Sequence, residues 1–413
     1  MKIAIISSGF LPVIDGVTIA IHQRVRFLSQ WGHQVLVLCP DYQPVASVYP
    51  HWADHVGAVL PGVQVIGLPS EPFMGVEFER NISRRASPSL LQALQAFQPD
   101  IIHVDEPDRL FLGLLRSPGV AYARERGIPC VGFYHTHFID YIEDFFPLPP
   151  PLIALAQWIS SQIIRRVFRA YDATLVASPV TEQRLQGMGI HNTLCDRFLG
   201  VDVNAFRFQP RVPQFFDRYG IAGLEGKLKL VFLGRLTPDK GWRFTLRAFS
   251  QWVAHPDSAP WVRRIALIIA GDGALRQEIE SEMQSLGLTV HMLGRVAPDA
   301  VPPLLANSDI HVTASEKETL GLTVLEAFAA GIPVLAPQVG GVVTLIRDGK
   351  NGRLFTPQDV DSFRRSLLDL LSDAGQRQQM GQQGQRDVAP YDWGGATKTL
   401  LATWETLAQH RRQ

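Results

Sequence analysis

The chain has no surplus charge of either sign. Its 413 residues carry 39 basic and 39 acidic side chains. Proteins that bind nucleic acid gain affinity by releasing counterions with excess cations, so balanced charge disfavours that class. Lysine is scarce, at seven of the 39 basic residues. The remainder are arginines, whose planar forks suit carboxylates and phosphates, although composition alone assigns no partner. Cysteine is scarcer: Cys39, Cys130 and Cys195 are too few and too scattered for a disulfide framework. No CxxC or Cys/His cluster suggests zinc, and the three read as buried free thiols of a reducing cytosol. No uncharged apolar run reaches about 18 residues, the minimum for a spanning helix. The apolar start Met1–Ile6 ends at Ser7-Ser8-Gly9, too short for a signal peptide core. The expectation is a cytoplasmic protein, soluble or peripheral at the cytoplasmic face of a membrane. The GxGxxG dinucleotide fingerprint is also missing; the loop after the first apolar run offers only Gly16 before a helix.

What is present is a packed globular chain: 46% hydrophobic, 19% charged, mean hydropathy +0.05. Its length suits two domains of about 200 residues each. Short apolar runs alternate with helical patterns. Lys2–Ile6, Gln34–Cys39, Ile101–Val104, Cys130–Tyr134 and Thr174–Ala177 read as buried parallel strands, with helices such as Ile19–Trp31 and Ser89–Phe97 between them. Around Val201–Gly226 the pattern lapses into a polar, proline- and glycine-punctuated stretch, placed here as the linker. Alternation then restarts with strands at Leu228–Leu233, Ile265–Ala270, Thr289–Leu293, Ile310–Thr313, Pro333–Ala336 and Arg353–Phe355. Helices are expected near 242–253, 274–286, 321–330 and 359–372. The pattern predicts two doubly wound α/β domains, 1–205 and 206–390. Ligands of such sheets bind at strand carboxyl ends, so the cleft shared by the two domains is the default site. Pro147–Pro151 reads as a local turn.

Four segments follow predicted strands and carry candidate chemistry. In Ser315–Phe328, a turn through Gly321 opens a helix near Leu322 and Thr323, and a helix start attracts phosphate. Glu318 and Glu326 flank that start and suit sugar hydroxyls; on the residues alone, a capped helix with acidic first-turn residues is the commoner arrangement. In Gly234–Gly241, Arg235 and Lys240 flank a turn and would neutralise a diphosphate leaving group without a metal. A solvated turn with incidental charges is the alternative. In Phe133–Phe138, His135 and His137 suit substrate contact or a structural role. A metal there lacks partners at established spacing in Asp140, Glu143 and Asp144. Gly16 would let backbone approach a phosphate, and the Gly271-Asp272-Gly273 turn reads equally as a tight turn or a ligand contact.

Taken in order, these segments resemble the GT-B glycosyltransferases, specifically the retaining family 4. The matching features are the Gly16 loop, Gly32-His33-Gln34-Val35, Pro99–His103, Gly200-Val201-Asp202, Gly234-Arg235-Leu236 with Lys240-Gly241, and Gly271-Asp272-Gly273. The most specific is Glu318–Leu322 leading to Glu326 and Ala330–Val334. The resemblance implies a GT-B fold of two Rossmann-like domains facing a central cleft. It implies an acceptor-binding first domain, completed by a C-terminal helix 391–413, and a donor-binding second domain. Arg235 and Lys240 would grip the donor diphosphate, Glu326 the ribose and Glu318 the donor sugar. Amides near Gly321, Leu322 and Thr323 would meet phosphate, and His135 would line the reaction centre on the acceptor side. No cofactor and no catalytic metal are implied; the substrate is a nucleotide-diphosphate sugar.

Closer in, Tyr134–His137, Asp15–Thr18 and Tyr391-Asp392-Trp393 with Ala396-Thr397 resemble the sulfoquinovosyl-diacylglycerol synthases, which favours a UDP-linked donor and a lipid acceptor. Residues 152–169 fit membrane contact, with apolar residues and Trp158 ahead of Arg165, Arg166 and Arg169. A core helix with a solvated basic end is the alternative. Two other functions stand beside a lipid acceptor: the same chemistry on a soluble sugar or glycan, and a non-catalytic nucleotide-sugar- or NAD-binding α/β protein.

Overall fold

The computed structural model describes every residue except 74–75, 146–147 and 413. Two compact units emerge, each built on one sheet. The first comprises Met1–Ile139, Pro149–Gly200 and the C-terminal segment from Trp393. Its strands are β1 (Lys2–Ser7), β2 (Gln34–Pro40), β3 (Gly57–Leu60), β4 (Val63–Leu68), β5 (Ser70–Phe73), β6 (Val76–Ile82), β7 (Ile101–Asp105), β8 (Cys130–Phe133), β9 (Ala173–Val176) and β10 (Thr193–Cys195). Eight form one sheet in the order β10-β9-β8-β7-β1-β2-β4-β3, parallel except for β3, while β5 and β6 pair separately. β1, β7, β8 and β9 are buried along almost their whole length, as continuous apolar runs between two helical layers should be. The sequence pattern missed β3, β4, β5, β6 and β10. β4, β5 and β10 are short or half-exposed and broken by polar residues or proline, and β3, although apolar, is a four-residue edge strand.

The second unit comprises Asp140–Leu148 and Val201–Asp392. It holds β11 (Leu228–Leu233), β12 (Ile265–Ala270), β13 (Thr289–Gly294), β14 (Ile310–Val312), β15 (Val334–Pro337) and β16 (Gly352–Phe355). All six are parallel, in the order β13-β12-β11-β14-β15-β16. The strand order reverses direction at β11 and β14, and such a switch point opens a crevice at the strand carboxyl ends.

The stretch read as a linker is mostly part of this second unit. Asp202 caps a short helix, Val203–Arg207, by accepting from the Ala205 N–H at 3.0 Å. Phe206, Phe215 and Phe216 are buried, each worth about 1.5–3 kcal/mol of transfer energy. Arg211 donates to the carbonyls of Ala306 and Ser308 at 3.1 and 2.6 Å. The break therefore falls between Gly200 and Val201 rather than at 205. At the other end, the Trp393–Arg412 helix packs against the Gly16–Gln30 helix of the first unit. Its Trp404 is fully buried, 5.3 Å from the His103 ring, and Arg411 pairs with Asp172. Cys39 and Cys130 are buried free thiols; Cys195, on the outermost strand β10, is only half-buried. Pro147 lies outside the described residues, and Pro150 opens the Pro150–Phe168 helix.

Candidate active site

In the second unit, the loops leaving β11, β12, β14 and β15 stack backbone on backbone. Gly241 has φ +74, and a Cβ there would lie 2.1 Å from the Ala314 carbonyl oxygen. A Cβ on Gly271, at φ +152, would lie 1.8 Å from that of Gly234. Only glycine permits both the conformation and the approach. The Leu236 N–H donates to Asp272 O at 3.0 Å, and the Gly341 N–H to Glu318 O at 2.7 Å. The Gly271-Asp272-Gly273 turn thus frames the Gly234–Gly241 loop.

On this frame the Lys240 ammonium donates to the Glu318 carboxylate at 2.7 Å, and both side chains stay about a quarter exposed. Burial disfavours both charges. The pairing outweighs it, holding the Lys240 pKa above and the Glu318 pKa below their ordinary values. Arg235 is half exposed and contacts the buried Asp239 carboxylate at 3.3 Å. The Leu322–Ala330 helix starts after Gly321, at φ +103, with no capping side chain. Its first N–H groups, on Leu322 and Thr323, have no partner among the described residues. One turn in, Glu326 has no nearby charge among the described residues, and burial pushes its carboxyl up to about 8. Arg235, Lys240, Glu318, Gly321, Leu322, Thr323 and Glu326 therefore all line the carboxyl-end loops and the one helix start that follows β14.

Two further residues bear on this site without a local sequence signal. His311, on β14, is fully buried between Val231 O and the Thr323 hydroxyl, each at 3.2 Å from a ring nitrogen. Tyr141 feels Lys240, Asp239 and Glu318 from the Asp140–Leu148 segment, and burial pushes its phenol up to about 12. That segment also accounts for the acids considered as metal ligands. Lys317 donates to Asp140 O at 2.6 Å and to Glu143 at 3.1 Å, and it pairs with Asp144.

The first unit has its own polar cluster at strand carboxyl ends. Asp105, the last residue of β7, is fully buried and receives His135 Nε2 at 2.6 Å and Arg24 at 3.0 Å. Burial opposes its charge, but the Arg24 guanidinium and the His135 hydrogen bond hold its pKa well below the ordinary value. Arg24 can only donate, so His103 Nε2 accepts from it at 2.9 Å. Burial keeps that ring neutral, with a pKa lowered to about 4. Glu106 follows with φ +54, and this left-handed residue turns its carboxylate onto the next loop. There it accepts from Thr136 at 2.7 Å and from Ser8. Successive carboxylates thus clamp successive residues, Asp105 on His135 and Glu106 on Thr136. His137 is buried separately, with Nδ1 3.2 Å from the Tyr134 hydroxyl. Gly16 opens the Gly16–Gln30 helix, but Asp15 caps it, accepting from the Thr18 N–H at 2.8 Å. A carboxylate already seated there weakens the expectation of a phosphate at Gly16. A polar pair directly after a buried strand was the available signal for Asp105 and Glu106. Nothing local in the sequence marked Arg24.

Comparison with known proteins adds the family context. The family described as "Glycosyl transferases group 1" matches residues 218–387, and "Glycosyltransferase Family 4" matches residues 14–197. The sulfoquinovosyl transferase SQD2 of Arabidopsis thaliana is 30% identical over 382 residues, covering 91% of this chain and 68% of its own. A GDP-mannose-dependent alpha-mannosyltransferase of Mycobacterium tuberculosis is 28% identical over 423 residues, covering 100% and 98%. The alpha-monoglucosyldiacylglycerol synthase of Streptococcus pneumoniae is 26% identical over 365 residues, covering 86% and 75%. Among solved structures, a sucrose-phosphate synthase from Thermosynechococcus elongatus superposes with TM-score 0.76 at 20% identity, covering 98% of both chains. Anabaena HepE in complex with UDP and glucose superposes with TM-score 0.70 at 18% identity, covering 98% of this chain and 100% of its own. The fold is GT-B.

Proposed function

The chain belongs to the group 1, family 4 glycosyltransferases, and from that premise we propose that it moves a hexosyl group from a UDP-linked sugar to a membrane-lipid hydroxyl such as that of diacylglycerol. The reaction retains anomeric configuration and uses no catalytic metal. The observation that carries the donor half is the Lys240–Glu318 pair beside an uncapped helix start. Lys240, Arg235 and the Leu322 and Thr323 N–H groups stabilise the diphosphate as the C1–O bond to it breaks. Glu318 accepts from donor-sugar hydroxyls, and Glu326 from the ribose. The acceptor oxygen bonds to C1 on the face the diphosphate leaves, and its proton passes to the departing phosphate. The chain contributes position and charge stabilisation. His135, held by Asp105, serves the acceptor side.

The lipid half rests on the Pro150–Phe168 helix. Ile164, Val167 and Phe168 anchor its end in the core. Leu152, Leu155, Trp158 and Ile159 are exposed ahead of the exposed Arg165, Arg166 and Arg169, with Trp158 61% accessible. An exposed apolar face beside cations suits an anionic lipid surface at the cytoplasmic side of a membrane. No described helix is long and apolar enough to cross one. The sulfoquinovosyl and glucosyldiacylglycerol relatives support the same direction, and the bound UDP of the HepE structure supports the base.

Lys240→Ala, folded as the wild type, is expected to lose binding of UDP- and GDP-sugars in calorimetry, and the wild type to sediment with anionic vesicles at low salt. Retained donor binding by Lys240→Ala would sink the site. A wild type that stays in the supernatant would leave the soluble-acceptor reading in its place.

A further inference from the structure

A helix start that is to hold phosphate faces a conflict. The usual device for fixing the first turn is a Ser, Thr, Asp or Asn side chain at the cap, which consumes an N–H group the ligand needs. The Leu322–Ala330 helix has Gly321 at the cap and no side-chain bond there. Glycine is also the residue with the most backbone freedom to lose on folding. Something else must fix this turn.

Among the described residues, one side-chain hydrogen bond ties this turn from beneath. Thr323 is the second residue of the helix. Its hydroxyl lies 3.2 Å from His311 Nε2, while His311 Nδ1 lies 3.2 Å from the Val231 carbonyl oxygen of β11. A carbonyl only accepts, so Nδ1 carries the proton and Nε2 is the acceptor. The Thr323 hydroxyl therefore donates inward to the ring. Burial supports this state by lowering the His311 pKa to about 4, which keeps the ring neutral and Nε2 unprotonated. The hydroxyl proton is spent on His311, and the backbone N–H of the same residue is left open.

We propose that His311 is a positioning residue for the donor diphosphate. Through Thr323 it fixes the first turn of the Leu322–Ala330 helix from the sheet side, in place of a cap, and leaves the Leu322 and Thr323 N–H groups to the phosphate oxygens. Thr323 meets the donor by its backbone, and its side chain acts only through the tie. This inference rests on the donor reading given above.

The test uses the full chain and four variants: Thr323→Val, Thr323→Ala, Thr323→Ser and Lys240→Ala. Valine keeps the branched shape and removes the hydroxyl; alanine removes it without a branched side chain, should valine fail to fold; serine keeps it. The probes are UDP and GDP by calorimetry, followed by steady-state kinetics with the nucleotide sugar that the wild type accepts. A net hydrogen bond of about 1 kcal/mol corresponds to a change of roughly five- to tenfold. Thr323→Val and Thr323→Ala are expected to weaken nucleoside-diphosphate binding by about that factor. The donor kcat/KM should fall by at least that factor, with kcat sharing in the loss because the same N–H groups stabilise the departing diphosphate, and Thr323→Ser should match the wild type. Wild-type affinity in both the valine and alanine variants, even with a lowered melting temperature, would show the tie to be structural only and overturn the proposal. So would a serine variant as weak as valine. If Lys240→Ala loses binding and Thr323→Val does not, the positioning role fails alone. If the wild type binds neither UDP nor GDP, the donor reading fails and this inference with it.

Discussion

At the scale of single residues, Glu326 makes the sharpest claim. A lone carboxyl pushed up to about 8 by burial is protonated at neutral pH. A protonated carboxyl accepts ribose hydroxyls poorly, whereas a carboxylate accepts two. If Glu326 holds the ribose as proposed, donor binding favours the ionised form and releases a proton below pH 8. Affinity for the nucleotide sugar should rise as pH increases from 6 to 8 and level off above it. The diphosphate of a nucleotide sugar does not titrate in that window, so the slope belongs to the protein. Glu326→Gln should bind more weakly, with no slope. Calorimetry at four pH values checks this, and a flat wild-type profile would remove Glu326 from the ribose site. Arg235, Lys240, Glu318 and Glu326 were legible in the sequence because glycine turns and predicted strand ends fixed their neighbourhoods. His311 and His103 were not. Each is a single histidine inside an apolar strand, and hydrophobic periodicity cannot tell a satisfied core histidine from one that orients a neighbour.

At the scale of elements, both units place their polar residues where parallel strands end, and the chain differs in how it holds them. The second unit uses glycine approaches between backbones; the first uses carboxylates. Asp105 holds the loop after β8 through His135 and neutralises the buried Arg24. Its folded pKa lies well below the ordinary 3.8. The stability it contributes is therefore present at neutral pH and lost only as strong acid protonates it. Asp105→Asn leaves Arg24 buried without its partner, and breaking a buried pair from one side costs about 3–5 kcal/mol. Urea denaturation at pH 7 should show a loss of that size, shrinking toward acid. A change below about 1 kcal/mol at pH 7 would mean that water or another group compensates Arg24. Which loops would clamp one another was not readable in advance. Asp105 and Glu106 are adjacent in sequence, but their partners His135, Thr136, Ser8 and Arg24 come from three other segments that only the sheet order assembles.

At the scale of the whole molecule, the first unit is not contiguous in sequence. It borrows its last helix from the end of the chain, after the entire second unit. The βα alternation could suggest two halves, but no periodicity says where a terminal helix returns; that expectation came only from family resemblance. The apparent linker misled for a related reason. Its prolines and glycines masked three phenylalanines that belong to the core of the second unit. The consequence is a separation of roles that can be measured. Trp404 is fully buried in the borrowed helix against His103, and truncating a buried Trp to Ala costs about 3–5 kcal/mol. For a unit of this size that lowers the melting temperature by roughly 10 °C. The residues proposed to hold the donor, from Arg235 to Glu326, all lie in the second unit. Trp404→Ala should therefore lower the first melting transition while UDP binding, measured below that transition, keeps its wild-type affinity. An unchanged melting profile would show that the helix adds little to the first unit. Loss of UDP binding in the still-folded variant would show that the donor site depends on the first unit, and that the two roles do not separate along this boundary.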